Sequence, residues 1–334
     1  MTRSAAPILG IDIGGTKLAV GVATPSGELL SEAREPSRAE EGPDAMIERV
    51  VAMSRAAVAD AMLSLDDIAA VGVGCGGPLD PWRGVVLNAL NNPGWVDIPL
   101  VARIESALGR PTFLDNDANA AALGEHRFGA GRGVRHLVYL TISTGVGGGL
   151  ILDDRLYHGE NGNAGELGHI SVRVGGRPCH CGSTGCIEAY CSGTNIALRA
   201  REALDAGNAT GPLAQGDPGT ISAERVADAA RDGDPLASSI WDETMELLGG
   251  GIVSIIHAFN PRLVVLGGGV TAAGDLLFNP VRRIVAERAM PWLAAVVRVV
   301  PAELGALTGV HGAVAVALDR LESAGSPMSE RTHA

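Results

Sequence analysis

The chain has 334 residues, of which 46% are hydrophobic and 19% charged, so it can bury a large core and is long enough for two domains. Its 26 Lys and Arg residues against 38 Asp and Glu give a net charge of −12, which excludes a general nucleic-acid partner. The sequence has no apolar stretch of about 18 residues and no signal-peptide pattern, and its five cysteines suit a reducing compartment. We therefore expect a cytoplasmic protein with no membrane partner.

A strand, a glycine turn and a second strand are predicted over residues 8–23. The turn has the sequence Asp12-Ile13-Gly14-Gly15-Thr16-Lys17. Its glycines allow backbone N–H groups to converge on an anion, and Thr16 adds a hydroxyl donor. Asp12, at a strand end beside the turn, is placed to hold Mg²⁺ through water. The pattern predicts a phosphate site, with a plain hairpin turn as the alternative, since the Walker P-loop spacing is absent.

A short strand is predicted to end at Asp115, and a helix to begin near Ala118. Asp117 then lies at or beside the helix N-cap, and capping alone is one interpretation of this residue. The other is a general base that accepts the proton of an attacking sugar hydroxyl, while Asn116 holds another hydroxyl. Asp115 is a rival for the base, and the spacing does not exclude it.

The second half of the chain repeats the order of elements found in the first half. The repeated elements are a strand-turn-strand (8–23 and 137–152), a helix (44–63 and 241–258) and a strand that ends in glycines (70–77 and 263–269). This repeat predicts two α/β domains of the same type that face each other. The expected bounds are 1–128 joined by a last helix at 309–323, then 129–308, and a flexible tail at 324–334.

Glycines in the second half predict further nucleotide contacts. The turn that follows the strand at residue 142 is of the same kind as the first phosphate turn, and two such turns facing each other across a cleft would grip a triphosphate. A glycine-ended strand at 263–269 is where adenosine would pack on backbone, since glycine permits that approach. The predicted contacts are Thr144, Gly145, Gly147, Gly267, Gly268 and Gly269.

One imidazole and three thiols between residues 165 and 188 have the spacing of a metal site: His169, Cys179, Cys181 and Cys186. Four soft ligands suit a closed tetrahedral zinc site, which has no open position for water chemistry. We therefore expect a structural zinc that orders the loop. Glu166 and Glu188 flank the set, so the ordered loop would hold both carboxylates close together as hydroxyl acceptors of a sugar pocket.

Alternatives remain for these cysteines. They are unliganded in one interpretation, although Cys179 and Cys181 are too close in sequence for an easy disulfide. His180 is a weaker candidate for the fourth ligand, because it lies between two ligands and would have to turn against its neighbours. Cys75 and Cys191 are not part of this ligand pattern and are predicted to be small core residues.

Four motifs together resemble the ROK family (repressors, open reading frames and sugar kinases). In chain order they are Asp12-x-Gly14-Gly15-Thr16-Lys17, Asn116-Asp117-Ala118-Asn119-Ala120, Gly165-Glu166-Leu167-Gly168-His169 and Cys179-x-Cys181-Gly182-x-x-Gly185-Cys186-x-Glu188. The match covers nearly the whole chain, and the cysteine motif is its most specific part. The resemblance implies an α/β, actin-like (RNase H-like) duplicated two-domain fold with the sugar site in the interdomain cleft. It also implies ATP as donor, Mg²⁺ as helper, and a homodimer or homotetramer.

The resemblance implies roles for single residues. Asp117 matches the catalytic base of the family. The sugar-contacting positions are matched by Gly77, Asn91, Asn116, Glu166, His169 and Glu188. His169 is expected both to bind zinc and to touch the sugar. The sequence departs from the family at Cys75-Gly76, where Ala-Pro is more usual, and at Asn92, where Leu is common; both departures are near the sugar positions.

The leading hypothesis is an ATP-dependent hexokinase that phosphorylates glucose at O6, because residues 161–166 resemble the bacterial glucokinase branch of the family. An N-acetylmannosamine or N-acetylglucosamine kinase is the alternative, since the shared motifs do not show an acetamide pocket. Repressors of the family have a helix-turn-helix before the first strand, whereas only about ten residues precede Asp12, so a repressor is not expected. A zinc-stabilised sugar-binding module would require Asp117 to be idle. Polyphosphate stays open as a donor.

Overall fold

The computed structural model describes residues 6–89, 92–207, 211–215 and 217–324. Its strands are β1 (Ile8–Ile13), β2 (Lys17–Ala23), β3 (Leu29–Pro36), β4 (Ala70–Cys75), β5 (Leu79–Asp80), β6 (Val85–Asn88), β7 (Val96–Ile98), β8 (Thr112–Asn116), β9 (Leu137–Ile142), β10 (Val146–Leu152), β11 (Arg155–Leu156), β12 (Leu263–Gly267) and β13 (Arg298–Pro301). Its α-helices are α1 (Gly42–Asp60), α2 (Leu100–Leu108), α3 (Asp117–Phe128), α4 (Glu188–Cys191), α5 (Gly193–Asp205), α6 (Ala223–Arg231), α7 (Pro235–Phe259), α8 (Asp275–Arg288), α9 (Pro291–Ala294) and α10 (Thr308–Ala324).

The chain divides into two compact units. The first unit comprises Met1–Gly133, Leu156–Ala164 and Glu303–Ala334, and the second comprises Val134–Arg155 and Gly165–Ala302. The first unit therefore contains the last helix. It also contains a nine-residue segment from the middle of the chain, Leu156–Ala164, which no sequence feature indicates.

The first unit is built on a five-stranded sheet in the order β3-β2-β1-β4-β8. β1 pairs antiparallel with β2 and parallel with β4, which in turn pairs parallel with β8. All of β4 and all but one residue of β1 are buried, as expected for central strands covered on both faces. Helix α10 packs on both strands. A Cβ atom at Gly72 would lie 1.7 Å from the carbonyl oxygen of Ala313, so the helix approaches β4 closely only because that residue is glycine.

A second five-stranded sheet forms the second unit, in the order β11-β10-β9-β12-β13. β9 pairs antiparallel with β10 and parallel with β12, and β12 pairs parallel with β13. The two sheets thus share a hairpin followed by two parallel strands, which is the duplication that the sequence predicts. The long helix α7 begins after Asp234, whose side chain accepts hydrogen bonds from the N–H groups of Leu236 and Ala237.

A buried carboxylate of the first unit accepts backbone hydrogen bonds near two of the four places where the chain passes from one unit to the other. Glu125 is fully buried on α3 and accepts hydrogen bonds from the N–H groups of Ala130, Glu303 and Leu304. These donors lie next to the crossings at 133–134 and 302–303. These three N–H groups lie outside regular strands and helices, so the carboxylate supplies the hydrogen-bond acceptor that secondary structure does not.

One smaller expectation is confirmed. Cys75 and Cys191 are fully buried, in the first and second unit respectively, as predicted for core residues. Among the described residues, no helix is both long and apolar enough to cross a membrane.

Candidate active site

In the first unit, parallel strand pairing brings Asp12 and Asp115 to the same edge of the sheet. Asp12 on β1 is opposite Gly74 on β4, and Gly74 is opposite Asp115 on β8. Asp117 follows as the first residue of α3, and a Cβ atom at Gly74 would lie 3.8 Å from its Cα atom. Asp12 and Asp117 therefore lie near each other at the carboxyl ends of the strands, where α/β sheets place their ligands.

The charge of Asp117 affects the pKa of Asp12. Burial raises the pKa of Asp12 to about 6, and the nearby charge of Asp117 adds to this rise, while Lys17 and Arg34 oppose it. Asp117 is exposed, but the protein surrounds it closely enough that desolvation raises its pKa, against a hydrogen bond from the N–H group of Ala118. A reachable carboxyl group with a raised pKa has the properties of a general base.

Hydrogen bonding separates Asp117 from its rival. Asp115 is 1% exposed, and its Oδ1 accepts from the N–H of Asn116 and from Nδ2 of Asn119 at 2.9 and 3.0 Å. Its Oδ2 lies 2.7 Å from Nε2 of His158. In contrast, no side chain within the described part of the chain donates to Asp117. Asp115 is therefore committed to the protein interior, and Asp117 is the carboxylate that a substrate can reach.

Asn116 is the N-cap of α3. Its Oδ1 accepts from the N–H groups of Ala118 and Asn119, which leaves its Nδ2 amide for a ligand. A Cβ atom at Gly77 would lie 3.3 Å from that Nδ2, so these two predicted sugar contacts are neighbours. Asn91, another predicted sugar contact, lies outside the described residues.

The predicted phosphate turn of the first unit closes a β-hairpin. The N–H of Gly14 donates to the carbonyl of Lys17 at 3.0 Å, so this N–H is already committed. Buried Ser37 supports the turn from outside, because its hydroxyl donates to the Gly15 carbonyl and its N–H to the Thr16 carbonyl. Thr16 and Lys17 are exposed, so their side chains remain available to an anion.

In the second unit, the four predicted metal ligands converge. Their ligating atoms all lie within 4.8 Å of one another: His169, Cys179, Cys181 and Cys186. Nδ1 of His169 is 3.6 Å from Sγ of Cys179, and Sγ of Cys181 is 3.8 Å from Sγ of Cys186. Ligands about 2.3 Å from a tetrahedral zinc ion lie roughly 3.8 Å apart, so these residues fit zinc.

The loop that holds these ligands turns tightly on backbone hydrogen bonds. The N–H of Cys179 donates to Ser183, and the N–H of Gly182, at φ +90°, donates to Cys179. Burial raises the pKa of Cys186, whereas a hydrogen bond from the backbone of Ser183 lowers the pKa of Cys181. A lowered thiol pKa favours the thiolate, which is the form that binds metal.

His169 and its neighbour Glu166 are both predicted sugar contacts. Nδ1 of His169 faces the thiols, while its Nε2 lies 3.7 Å from Oε2 of Glu166, so the ring presents one nitrogen to each site. His180 is half exposed and lies against Glu188, with 3.1 Å between Nδ1 and Oε1. His169 therefore lies with the three thiols, whereas His180 lies against a carboxylate.

Glu188 makes a contact that the sequence does not indicate. It is 6% exposed, and its Oε2 accepts from the N–H of Val146 at 2.8 Å. A Cβ atom at Gly145 would lie 2.6 Å from the same oxygen. Glu188 thus connects the cysteine loop to the predicted phosphate turn of this unit, in which Thr144 is exposed.

The glycines at the end of β12 have an explanation inside the protein. A Cβ atom at Gly267 would lie 2.3 Å from Oη of Tyr139, and one at Gly268 would lie 2.4 Å from the carbonyl oxygen of Ile142. Gly269 is exposed, with open space where a Cβ atom would be. Gly269 is therefore the one of the three whose lack of a side chain leaves room for a ligand.

The comparisons with known proteins agree with the motifs. The model of the ROK family matches residues 8–320. A glucokinase of Thermotoga maritima is 36% identical over 319 residues, covering 94% of this chain and 98% of that protein. A ROK hexokinase structure from Thermus thermophilus is 35% identical, with a TM-score of 0.78 over 95% of this chain and 99% of that chain. A ROK family glucokinase from Streptomyces griseus, solved with glucose and AMPPNP, has the same identity and TM-score over 94% of this chain and 99% of that chain.

These similarities confirm the predicted family resemblance and, with the two matching sheets, the actin-like α/β fold. The match spans the phosphate turn, the Asp117 motif and the cysteine loop. The chain therefore belongs to the ROK family.

Proposed function

We propose that this protein is an ATP-dependent hexokinase that phosphorylates glucose at O6 to give glucose 6-phosphate. The observation that supports it most is Asp117, a reachable carboxylate of raised pKa at the start of α3, in a chain similar over its length to glucokinases. In a module that only binds sugar, Asp117 would be idle as a base.

Asp117 is the proposed general base. As O6 of the sugar attacks the γ-phosphorus of ATP, the new O6–P bond forms while the bond from the γ-phosphorus to the bridging oxygen breaks, and ADP leaves. The O6 proton passes to the carboxylate of Asp117. The raised pKa of Asp117 makes it a stronger proton acceptor than an ordinary carboxylate, and its fixed position on a helix N-terminus keeps it oriented.

The proposed sugar contacts divide by chemistry. The carboxylates of Glu166 and Glu188 accept hydrogen bonds from hydroxyl groups, and Nδ2 of Asn116 donates one. Nε2 of His169 is directed away from the thiols and is available to a hydroxyl. A sugar that lacks one of these hydroxyls would leave a polar group unpaired, which is the physical basis of selectivity. Gly77 and Asn91 complete the proposed set.

Bound metals have separate proposed roles. His169, Cys179, Cys181 and Cys186 would hold a structural zinc ion, which leaves no ligand position for substrate. Asp12, through water, would hold Mg²⁺, whose charge offsets that of the phosphates. The proposed phosphate contacts are Gly14, Gly15, Thr16, Lys17, Thr144, Gly145 and Gly147, and the adenosine contacts are Gly267, Gly268 and Gly269.

A coupled assay for ADP tests this function. Purified protein is given ATP and Mg²⁺ with glucose, N-acetylmannosamine or N-acetylglucosamine, and kcat/KM is compared, with the phosphorylated carbon identified by NMR. We expect glucose to give the highest value and O6 to carry the phosphate. A higher value for an N-acetylhexosamine would replace glucose as the substrate, and no turnover with any sugar would end the proposal. Polyphosphate in place of ATP tests the donor.

A further inference from the structure

The segment Leu156–Ala164 belongs to the first unit, although the residues on both sides of it along the chain belong to the second. One of its side chains reaches β8, which ends at the proposed sugar contact Asn116, and another reaches β5, which follows the proposed contact Gly77. Nε2 of His158 lies 2.7 Å from Oδ2 of Asp115, and Oδ1 of Asn163 accepts from the N–H of Leu79 at 3.2 Å. The proposed function uses neither side chain.

The contact between His158 and Asp115 is enclosed. The His158 side chain is 15% exposed and that of Asp115 is 1% exposed, while the ring of Trp82 lies beside His158 at 5.9 Å between centroids. The imidazole Nε2–H donates to the carboxylate. The guanidinium of Arg320 is farther away, with Nη2 at 3.8 Å from the same Oδ2. His158 is therefore the close partner of this oxygen.

Asp115 relays that contact to the start of α3. Its other oxygen, Oδ1, accepts from the N–H of Asn116 and from Nδ2 of Asn119. One carboxylate thus braces the last residue of β8 and the first turn of α3. Asp117 lies between the two braced residues, so its orientation depends on how firmly Asp115 is held.

We propose that His158 is a positioning residue for Asp117 that acts through Asp115. The proposal rests on the proposed role of Asp117 as general base. His158 does not contact the reacting atoms. Without its hydrogen bond, a buried carboxylate oxygen loses its close donor and the junction between β8 and α3 gains freedom. Because a misplaced base matters more in the transition state than in substrate binding, kcat falls while the KM for glucose changes little.

Two variants with opposite expectations test this step. His158→Ala is expected to lower kcat per folded molecule about 10-fold to 100-fold, with the KM for glucose within about 3-fold of wild type. His158→Gln, whose amide also donates to Asp115, is expected to restore kcat to within about 3-fold. A kcat within about 2-fold of wild type in the Ala variant, or a Gln variant no better than Ala, overturns the proposal.

Trp82→Leu is the matched control, since it removes the ring beside His158 but keeps the hydrogen bond. Its kcat is expected to stay within about 3-fold of wild type; a loss as large as that of His158→Ala shows that packing alone is responsible and overturns the proposal. Asp115→Asn offers a second route, because it replaces one acceptor oxygen with a donor. It is expected to lower kcat as His158→Ala does, and a wild-type kcat overturns the relay.

Amide hydrogen exchange separates this inference from the proposed function. The N–H groups of Ala118 and Asn119 are held by Oδ1 of Asn116. Their exchange is expected to accelerate about 5-fold or more in His158→Ala and to match wild type in His158→Gln. This readout does not require turnover. Wild-type protein that fails to phosphorylate glucose overturns the proposed function, whereas equal exchange in wild type and His158→Ala overturns the role of His158.

Discussion

The two units share one sheet order but position their candidate site residues by different means. In the first unit, Asp12, Asn116 and Asp117 lie at strand ends that parallel pairing aligns. In the second, Glu166 and His169 lie on a loop whose described structure is a short helical turn at Leu167–His169 and two isolated bridges. Backbone pairing positions the first set, whereas we propose that zinc bound to the four-ligand cluster orders the second. The comparison therefore predicts one set that is independent of metal and one that depends on it.

The largest expected effect concerns the first unit. Asp117→Ala is expected to lower kcat about 1,000-fold or more, because the attacking hydroxyl loses its proton acceptor. Glucose binding, measured by calorimetry, and the circular dichroism spectrum are expected to stay close to wild type, since strand pairing does not involve this side chain. Near-normal turnover in this variant would show that Asp117 is not the base.

The pKa of Asp12 predicts how the stability of the first unit depends on pH. Its folded pKa of about 6 lies above the ordinary value of 3.8, so the folded chain binds the proton more tightly than the unfolded chain. Ionised Asp12 therefore destabilises the fold above pH 6, and this cost disappears as the pH falls through 6 towards 4. Without Mg²⁺, Asp12→Asn is expected to raise the free energy of unfolding by on the order of 2–3 kcal/mol at pH 8.

Urea denaturation at pH 8, 6 and 4 measures this gain. We expect it to shrink with falling pH and to be nearly absent at about pH 4. Asp60→Asn, at an exposed position on α1, is the control and is expected to change the stability by less than about 0.5 kcal/mol at each pH. If Asp12→Asn raises the free energy of unfolding equally at all three pH values, Asp12 does not have a raised pKa in the folded protein.

Removing a proposed zinc ligand tests whether the site residues of the second unit depend on the metal. Cys179→Ser is expected to lose bound zinc and to raise the KM for glucose about 10-fold to 100-fold, since the loop bearing Glu166 and His169 loses its order. The KM for ATP and the amide protection of β1 and β4 are expected to change little. Mass spectrometry of the metal measures the zinc content, and steady-state kinetics measure the KM values.

Cys191→Ala is the matched control, because this cysteine is buried outside the ligand set and is expected to leave zinc in place. A zinc-free Cys179→Ser protein with the glucose KM of wild type would show that the loop does not need the metal.

The smallest expected effect concerns the two predicted phosphate turns. Thr144→Ala is expected to raise the KM for ATP about 5-fold and to leave the KM for glucose nearly unchanged, since one hydroxyl donor to phosphate is lost. Thr16→Ala makes the same change in the first unit. Initial-rate kinetics at varied ATP and glucose compare them; a larger effect on glucose than on ATP removes the residue from the phosphate site.

The amino-acid sequence determined those features that local pattern controls. The hairpins, the glycine-ended strands and the spacing of His169 and the three cysteines are short-range signals, and the structure forms each of them. The order of elements, repeated along the chain, determined that the fold is duplicated. Even so, the spacing of Asp115 and Asp117 left two candidates for one base.

Only the tertiary structure decided which groups remain available to a ligand. Asp115 is occupied by His158, 43 residues away in sequence, and one oxygen of Glu188, Oε2, by the N–H of Val146, 42 residues away. Gly267 and Gly268 are glycines because of Tyr139 and Ile142, in another strand. Whether a polar atom is satisfied depends on every neighbour in space, and such neighbours come from segments that local sequence does not connect.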